Sequence, residues 1–207
     1  MKLHRLLLAL LAGLALAGSA SAQEAFDIKQ GDSIVSALNF GQGDHVVIAL
    51  HGFRGSRDFF ADYGPDFVKA GLRVISINWP GTAGAGFAEL TTAVKYAKEQ
   101  GAKKVSLLGF SRGAELAANF ARNQGDGEFD TLVLFSTVDD QGLAMAKTKK
   151  VFAFNKSDSI ARWAPASAEK SAEPKKVFAL GGGGHPIKTL VEEKADLMQE
   201  VIAEIKK

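Results

Sequence analysis

Gly109-Phe110-Ser111-Arg112-Gly113 matches G-x-S-x-G, the pattern that puts a serine on a sharp turn between a strand and a helix. The two glycines remove side chains that would collide across such a turn. The helix beginning at Arg112 would aim its positive end at the serine oxygen. Taken alone the pattern says little in a chain with 22 glycines. Here an apolar run, Lys104 to Leu108, precedes it and an alanine-rich helical stretch follows. A serine hydroxyl is a poor nucleophile near neutral pH and needs a general base. The sequence has no cysteine, so thiol nucleophiles, disulfides and thiolate metal sites are all excluded.

Beyond residue 22 three histidines can supply the base. His45 opens an apolar run and reads as structural. His51 precedes the serine turn, in the turn after HVVIAL, and suits packing or hydrogen bonding behind a loop. His185 follows the last apolar run in Gly181-Gly182-Gly183-Gly184-His185-Pro186, a segment able to carry it over a sheet edge. His185 is therefore the expected base. An acid is needed to orient the imidazole and offset its charge. Asp158, after the VFAF run, is the expected acid; Asp139 and Asp140, one strand earlier, are its competitors, and the other role for Asp158 is a helix cap. A developing oxyanion needs two backbone N–H donors. Arg112 follows the nucleophile and supplies one; the His51-Gly52-Phe53 loop supplies the other, assigned to Phe53.

These residues need a scaffold that gathers loops from distant parts of the chain. Apolar runs recur at His45 to Leu50, Arg73 to Ile77, Lys104 to Leu108, Thr131 to Ser136, Val151 to Phe154 and Val177 to Leu180. Helical patterns occupy Asp58 to Ala70 (broken at Gly64-Pro65), Phe87 to Gln100, Arg112 to Asn123 and Ile187 to Ile205. Phe26 to Lys29 and Ile34 to Asn39 read as an opening hairpin. Strands separated by helices predict a mostly parallel sheet with helices on both faces. Reactive groups in such sheets gather outside the carboxyl ends of the strands. Ser111, Asp158 and His185 each fall just after a strand, in that chain order.

With these residues in view, the sequence resembles the α/β-hydrolase superfamily over residues 26–207. The resemblance rests on HGF at 51–53, GFSRG at 109–113, Asp158 and His185. The glycine-rich segment from Pro80 to Gly84 resembles a family loop, and Asn78 stands where many relatives have Asp. Many members insert a cap after the strand that here ends near Ser136; only Thr137 to Lys150 separates the next two strands. The resemblance thus implies a minimal, capless α/β-hydrolase fold with an open cleft, similar to small esterases, thioesterases and dienelactone-hydrolase-like proteins. The last group often uses a cysteine, which this chain lacks. Trp79, Phe110, Ile160 and Trp163 are the expected pocket residues, with core packing the other role for Trp79 and Phe110. Arg54, Arg57 and Arg112 stand near the same loops, either to recruit an anionic substrate or as a solvated rim.

The implied activity is serine hydrolysis of a carboxylic ester or thioester, from a small molecule or a polymer end, through an acyl-enzyme on Ser111. The alternatives are amide hydrolysis by the same triad and a non-catalytic binding protein on the same scaffold. No metal-ligand spacing and no cofactor motif is present; the GGGG run lacks the Lys-Ser/Thr ending of a phosphate loop.

Residues Met1–Ala22 read separately. Lys2 and Arg5 precede an unbroken Leu/Ala/Gly run from Leu6 to Ala17, and Ala20-Ser21-Ala22 gives a small-x-small ending. This is the layout of a secretory signal peptide cut before Gln23, leaving residues 23–207 as one domain. The run is short of the ~20 residues that span a bilayer, so no stable membrane anchor is expected after cleavage. Export to a periplasm or beyond suits a chain without thiols. The remaining chain balances 23 basic against 23 acidic residues, which argues against nucleic acid as a partner.

Overall fold

The computed structural model describes residues 23–207; the expected leader, Met1–Ala22, lies outside the described residues. The chain runs through β1 (Glu24–Gln30), β2 (Ser33–Phe40), β3 (His45–Leu50), a 3-10 turn (Arg57–Phe60), α1 (Gly64–Lys69), β4 (Arg73–Ile77) and α2 (Phe87–Glu99). It continues through β5 (Lys104–Phe110), α3 (Arg112–Gln124), β6 (Thr131–Phe135), β7 (Lys149–Asn155), α4 (Ala164–Lys170), β8 (Lys175–Leu180), α5 (Ile187–Glu193) and α6 (Leu197–Lys206). The strands form one sheet in the order β1-β2-β4-β3-β5-β6-β7-β8. β1 pairs antiparallel with β2 and β2 with β4, while β3, β4, β5, β6, β7 and β8 pair in parallel.

Alternation along the central strands explains the two layers. Val46, Ile48 and Leu50 face one core, which α2, α3 and α4 cover; Val47 and Ala49 face the other, covered by the 3-10 turn, α1, α5 and α6. Both faces are buried, so these strands read as continuous apolar runs rather than as alternating ones. The expected mostly parallel sheet with helices on both faces is the observed architecture.

Three local expectations differ from the structure. The closing helix over Ile187 to Ile205 is two helices, α5 and α6. The chain leaves helical geometry at Lys194, whose φ of −133° and ψ of 92° are extended. The apolar positions jump from Leu190 and Val191 to Leu197, and one stripe spans the gap without marking it. α4 has no counterpart in the sequence pattern; it is a seven-residue helix with proline in its first turn and small side chains buried at Ala164, Ser167 and Ala168. β5 runs two residues past Leu108, directly into the serine turn.

Among the described residues no helix or strand lies between β6 and β7. The connection is pinned instead. The Asp126 carboxylate accepts the N–H groups of Ala146, Lys147 and Thr148 at 2.9, 2.9 and 3.1 Å. Lys150, wholly buried on β7, donates its ammonium to the carbonyls of Met145 and Thr148, and burial holds its pKa below the usual lysine value. Among the described residues no cap covers the carboxyl edge of the sheet.

Candidate active site

Ser111 sits between β5 and α3 with φ 54° and ψ −115°, a region that non-glycine residues rarely occupy. The glycines on either side make the turn possible. A Cβ at Gly109 would lie 2.3 Å from the Gly113 backbone, and one at Gly113 would lie 2.1 Å from the Leu50 carbonyl oxygen. The Ser111 N–H donates to the Phe135 carbonyl at 2.9 Å, fixing the turn to the end of β6. Such strain persists only where surrounding contacts over-determine it.

The Ser111 hydroxyl lies 2.9 Å from His185 Nε2, and His185 Nδ1 lies 2.7 Å from Asp158 Oδ2. Asp158 is only 2% exposed. Its other oxygen accepts the N–H groups of Ile160 and Ala161 at 2.9 and 3.1 Å, so the carboxylate is held at both ends. Those two amides belong to the turn ahead of α4, whose first residue is Ala164, so Asp158 caps no helix and its alternative role as a helix cap is not the observed one. The ring of Phe110 packs against His185, with centroids 4.9 Å apart. With a proton on Nδ1, Nε2 is free to take the hydroxyl proton. Asp158 then stabilises the imidazolium that results.

The competing acids are occupied differently. Asp139 is buried and pairs with Arg122 at 2.5 Å, and it accepts the Ser167 hydroxyl at 3.2 Å. Asp140 is exposed on the cleft wall. Neither reaches His185.

Ser111 opens into a cleft of about 580 Å³ lined by Phe53, Thr82, Ala83, Arg112, Val138, Asp140, Ile160 and Trp163. Phe53 and Arg112 therefore stand beside the serine, as expected of oxyanion donors. The Arg112 amide opens α3 and has no acceptor within that helix. Phe53 and Ile160 are 58% and 56% exposed, which makes the rim apolar.

Two of the expected pocket residues are elsewhere. Trp79 is buried, stacks on His51 with centroids 5.5 Å apart and donates its indole N–H to the His51 carbonyl at 3.2 Å. Phe110 is buried against Phe59, with centroids 4.8 Å apart. Phe110 lies on the β5 face that packs against Phe59 and the His185 ring, while Trp79, two residues past the end of β4, packs on His51 behind the Phe53 loop. Thr82, Ala83, Val138 and Asp140 take their place. They follow the ends of β4 and β6, so the rule that led to the serine and histidine loops applies equally to them.

His51 is buried behind the Phe53 loop, its Nδ1 2.7 Å from the Gly52 carbonyl, and burial lowers its pKa. Arg57 is spent on the Ser36 hydroxyl and the Ala37 carbonyl at 2.6 and 2.9 Å. Arg112 pairs with Glu115 at 2.7 Å, and Arg54 lies over the Phe53 ring.

A family model described as the alpha/beta hydrolase fold matches residues 45–189, more than half of the chain. The chain belongs to the α/β-hydrolase fold family. Solved α/β structures align over most of its length. An esterase from Exiguobacterium antarcticum matches with a TM-score of 0.72 at 13% identity, covering 89% of this chain and all of that one. An arylesterase gives 0.73 at 12% identity over 91% and 87%. A dienelactone hydrolase from Anabaena variabilis gives 0.69 at 16% identity over 89% and 95%. At these identities the likeness concerns the α/β-hydrolase fold alone. No curated protein sequence matches.

Proposed function

We propose that the protein is a serine hydrolase that cleaves a carboxylic ester or thioester through an acyl-enzyme on Ser111. The observation that carries this reading is the hydrogen-bonded series Ser111, His185, Asp158, at 2.9 and 2.7 Å, on a strained turn that opens to the cleft. Ser111 Oγ bonds to the carbonyl carbon while its proton passes to His185 Nε2. The Phe53 and Arg112 N–H groups receive the oxyanion. The carbon–oxygen bond then breaks, and the leaving alcohol takes the proton from His185. Water repeats the sequence: it gives a proton to His185, attacks the acyl carbon and releases Ser111 with its proton restored.

Cleft shape supports a substrate class. With no cap over the sheet edge among the described residues and an apolar rim at Phe53 and Ile160, short acyl groups or the ends of larger molecules can reach Ser111. A fluorophosphonate probe should label Ser111, and a chromogenic ester series graded by acyl length should show a preference for short chains. Absence of both labelling and turnover would favour a binding protein on a hydrolase scaffold.

The leader reading completes the proposal. Cleavage after Ala22 would export residues 23–207, and mass spectrometry of the exported protein should find Gln23 first. A retained Leu6 to Ala17 segment would overturn it.

A further inference from the structure

His185 is carried by four consecutive glycines, the residues that lose most freedom on being ordered. A base on so pliant a segment would wander from Ser111 unless something outside the segment held it. The structure supplies three side chains that do so. Ser136, fully buried at the end of β6, donates its hydroxyl to the His185 carbonyl at 3.0 Å. Asn155, at the end of β7, donates its amide to the Gly184 carbonyl at 2.7 Å. Glu193, the last residue of α5, accepts the Gly181 and Gly182 N–H groups on its two oxygens at 2.6 and 2.9 Å.

Ser136 has a further property. Its φ of 43° is one of three positive values at non-glycine residues among the described residues, and a second is that of Ser111 itself. Its N–H is fixed to the Ala153 carbonyl at 2.8 Å, while the carbonyl of the preceding residue, Phe135, accepts the Ser111 N–H at 2.9 Å. One dipeptide thus grips the nucleophile by its amide and the base by its carbonyl. The strained backbone turns the hydroxyl out of the strand and toward His185.

We propose that Ser136, Asn155 and Glu193 form a clamp of positioning residues that registers His185 against Ser111. The proposal rests on the hydrolase reading. None of the three side chains touches the reacting atoms; each acts through the backbone of the histidine loop. A displacement of about 1 Å in a reacting group can lower turnover by about a hundredfold.

The test uses the Ser136→Ala and Glu193→Gln variants of the full chain, with wild type alongside. Glu193 is exposed, so its variant folds even if the buried Ser136 change weakens the protein. Active sites are titrated with the fluorophosphonate, and kcat per titrated site is measured on a short-chain ester. Each variant should lose about tenfold to a hundredfold in kcat with KM within twofold of wild type, and amide hydrogen exchange over residues 181–186 should quicken. A purely structural role would lower thermal stability and the number of titrated sites but leave kcat per site unchanged. Unchanged kcat per site in both variants would overturn the clamp. A wild type that neither labels nor turns over would defeat the hydrolase reading instead, and the exchange measurement would still decide whether these side chains hold the loop.

Discussion

Replacing Asp158 by Asn tests the site through a proton's position rather than through a lost contact. The Oδ1 atom of Asp158 accepts two backbone N–H groups, from Ile160 and Ala161, at 2.9 and 3.1 Å. An asparagine must turn its carbonyl oxygen toward those donors, since an NH₂ group there would face them unpaired. Its NH₂ is then directed at His185 Nδ1, now 2.7 Å from a carboxylate oxygen. Nδ1 becomes the acceptor, the imidazole proton moves to Nε2, and Nε2 can no longer take the Ser111 proton. The expected loss is about 10⁴-fold in kcat, or about 5.5 kcal/mol of transition-state stabilisation. The fold should survive, because asparagine has the same shape and keeps both backbone bonds.

Asp139→Asn should do the opposite. Asp139 is buried and carries the charge opposite Arg122, so its loss leaves a partly buried guanidinium without its anion. About 2–4 kcal/mol of stability should go, at the lower end where Arg122 keeps its bonds to Asn119 and the Gly142 carbonyl. Turnover per folded molecule should stay within about threefold. Steady-state kinetics on a short-chain ester and urea unfolding separate the two effects. A kcat for Asp158→Asn within tenfold of wild type, or a large kcat loss in Asp139→Asn with the fold intact, would refute the assignment of the acid.

Ser111→Ala should abolish fluorophosphonate labelling and lower kcat by about 10⁴-fold or more, whereas Ser111→Gly, equally inactive, should raise stability by about 1 kcal/mol in urea unfolding because glycine accepts the φ of 54°. Gly113→Ala should cost at least about 3 kcal/mol or prevent folding, since its Cβ would meet the Leu50 carbonyl at 2.1 Å; a variant with wild-type unfolding would contradict the turn geometry. Burial lowers the pKa of both His45 and His51. The unfolded chain therefore binds protons first, near pH 6.5. Stability from these two groups is whole above that pH and declines as pH falls through their lower folded values. The urea midpoint should drop from pH 7.5 to pH 5, and His45→Gln should flatten the decline.

What could be read from the sequence was what local physics encodes. An apolar run of five or six residues has few uses other than a buried strand, so β3, β4 and β5 are evident, and the residues just past them are where a parallel sheet gathers chemistry. Ser111 was legible because the turn itself demands glycine on both sides. Asp158 is favoured over Asp139 by a strand nearer to that of His185; the Arg122 side chain that claims Asp139 lies on α3 and gives no sign in the intervening residues. Trp79 and Phe110 illustrate the same limit. Each stands beside a functional loop in the chain, but Phe110 packs on Phe59 and the His185 ring and Trp79 packs on His51, so neither lines the cleft.

The histidine loop shows why the remainder was hidden. Four glycines in a row carry no preference for any conformation, so nothing between Gly181 and Gly184 specifies where His185 will stand. That information lies on β6, β7 and α5, in Ser136, Asn155 and Glu193. Glu193 also bears on the expected closing helix, Ile187 to Ile205, which the structure divides in two. As the last residue of α5 it turns both carboxylate oxygens onto the Gly181 and Gly182 amides, and the chain leaves helical geometry at the next residue, Lys194. An unbroken helix would satisfy the apolar stripe from Ile187 to Ile205 equally well. The break is where α5 presents Glu193 to the loop, so the feature missed in the helix and the order unreadable in the glycines meet at one residue.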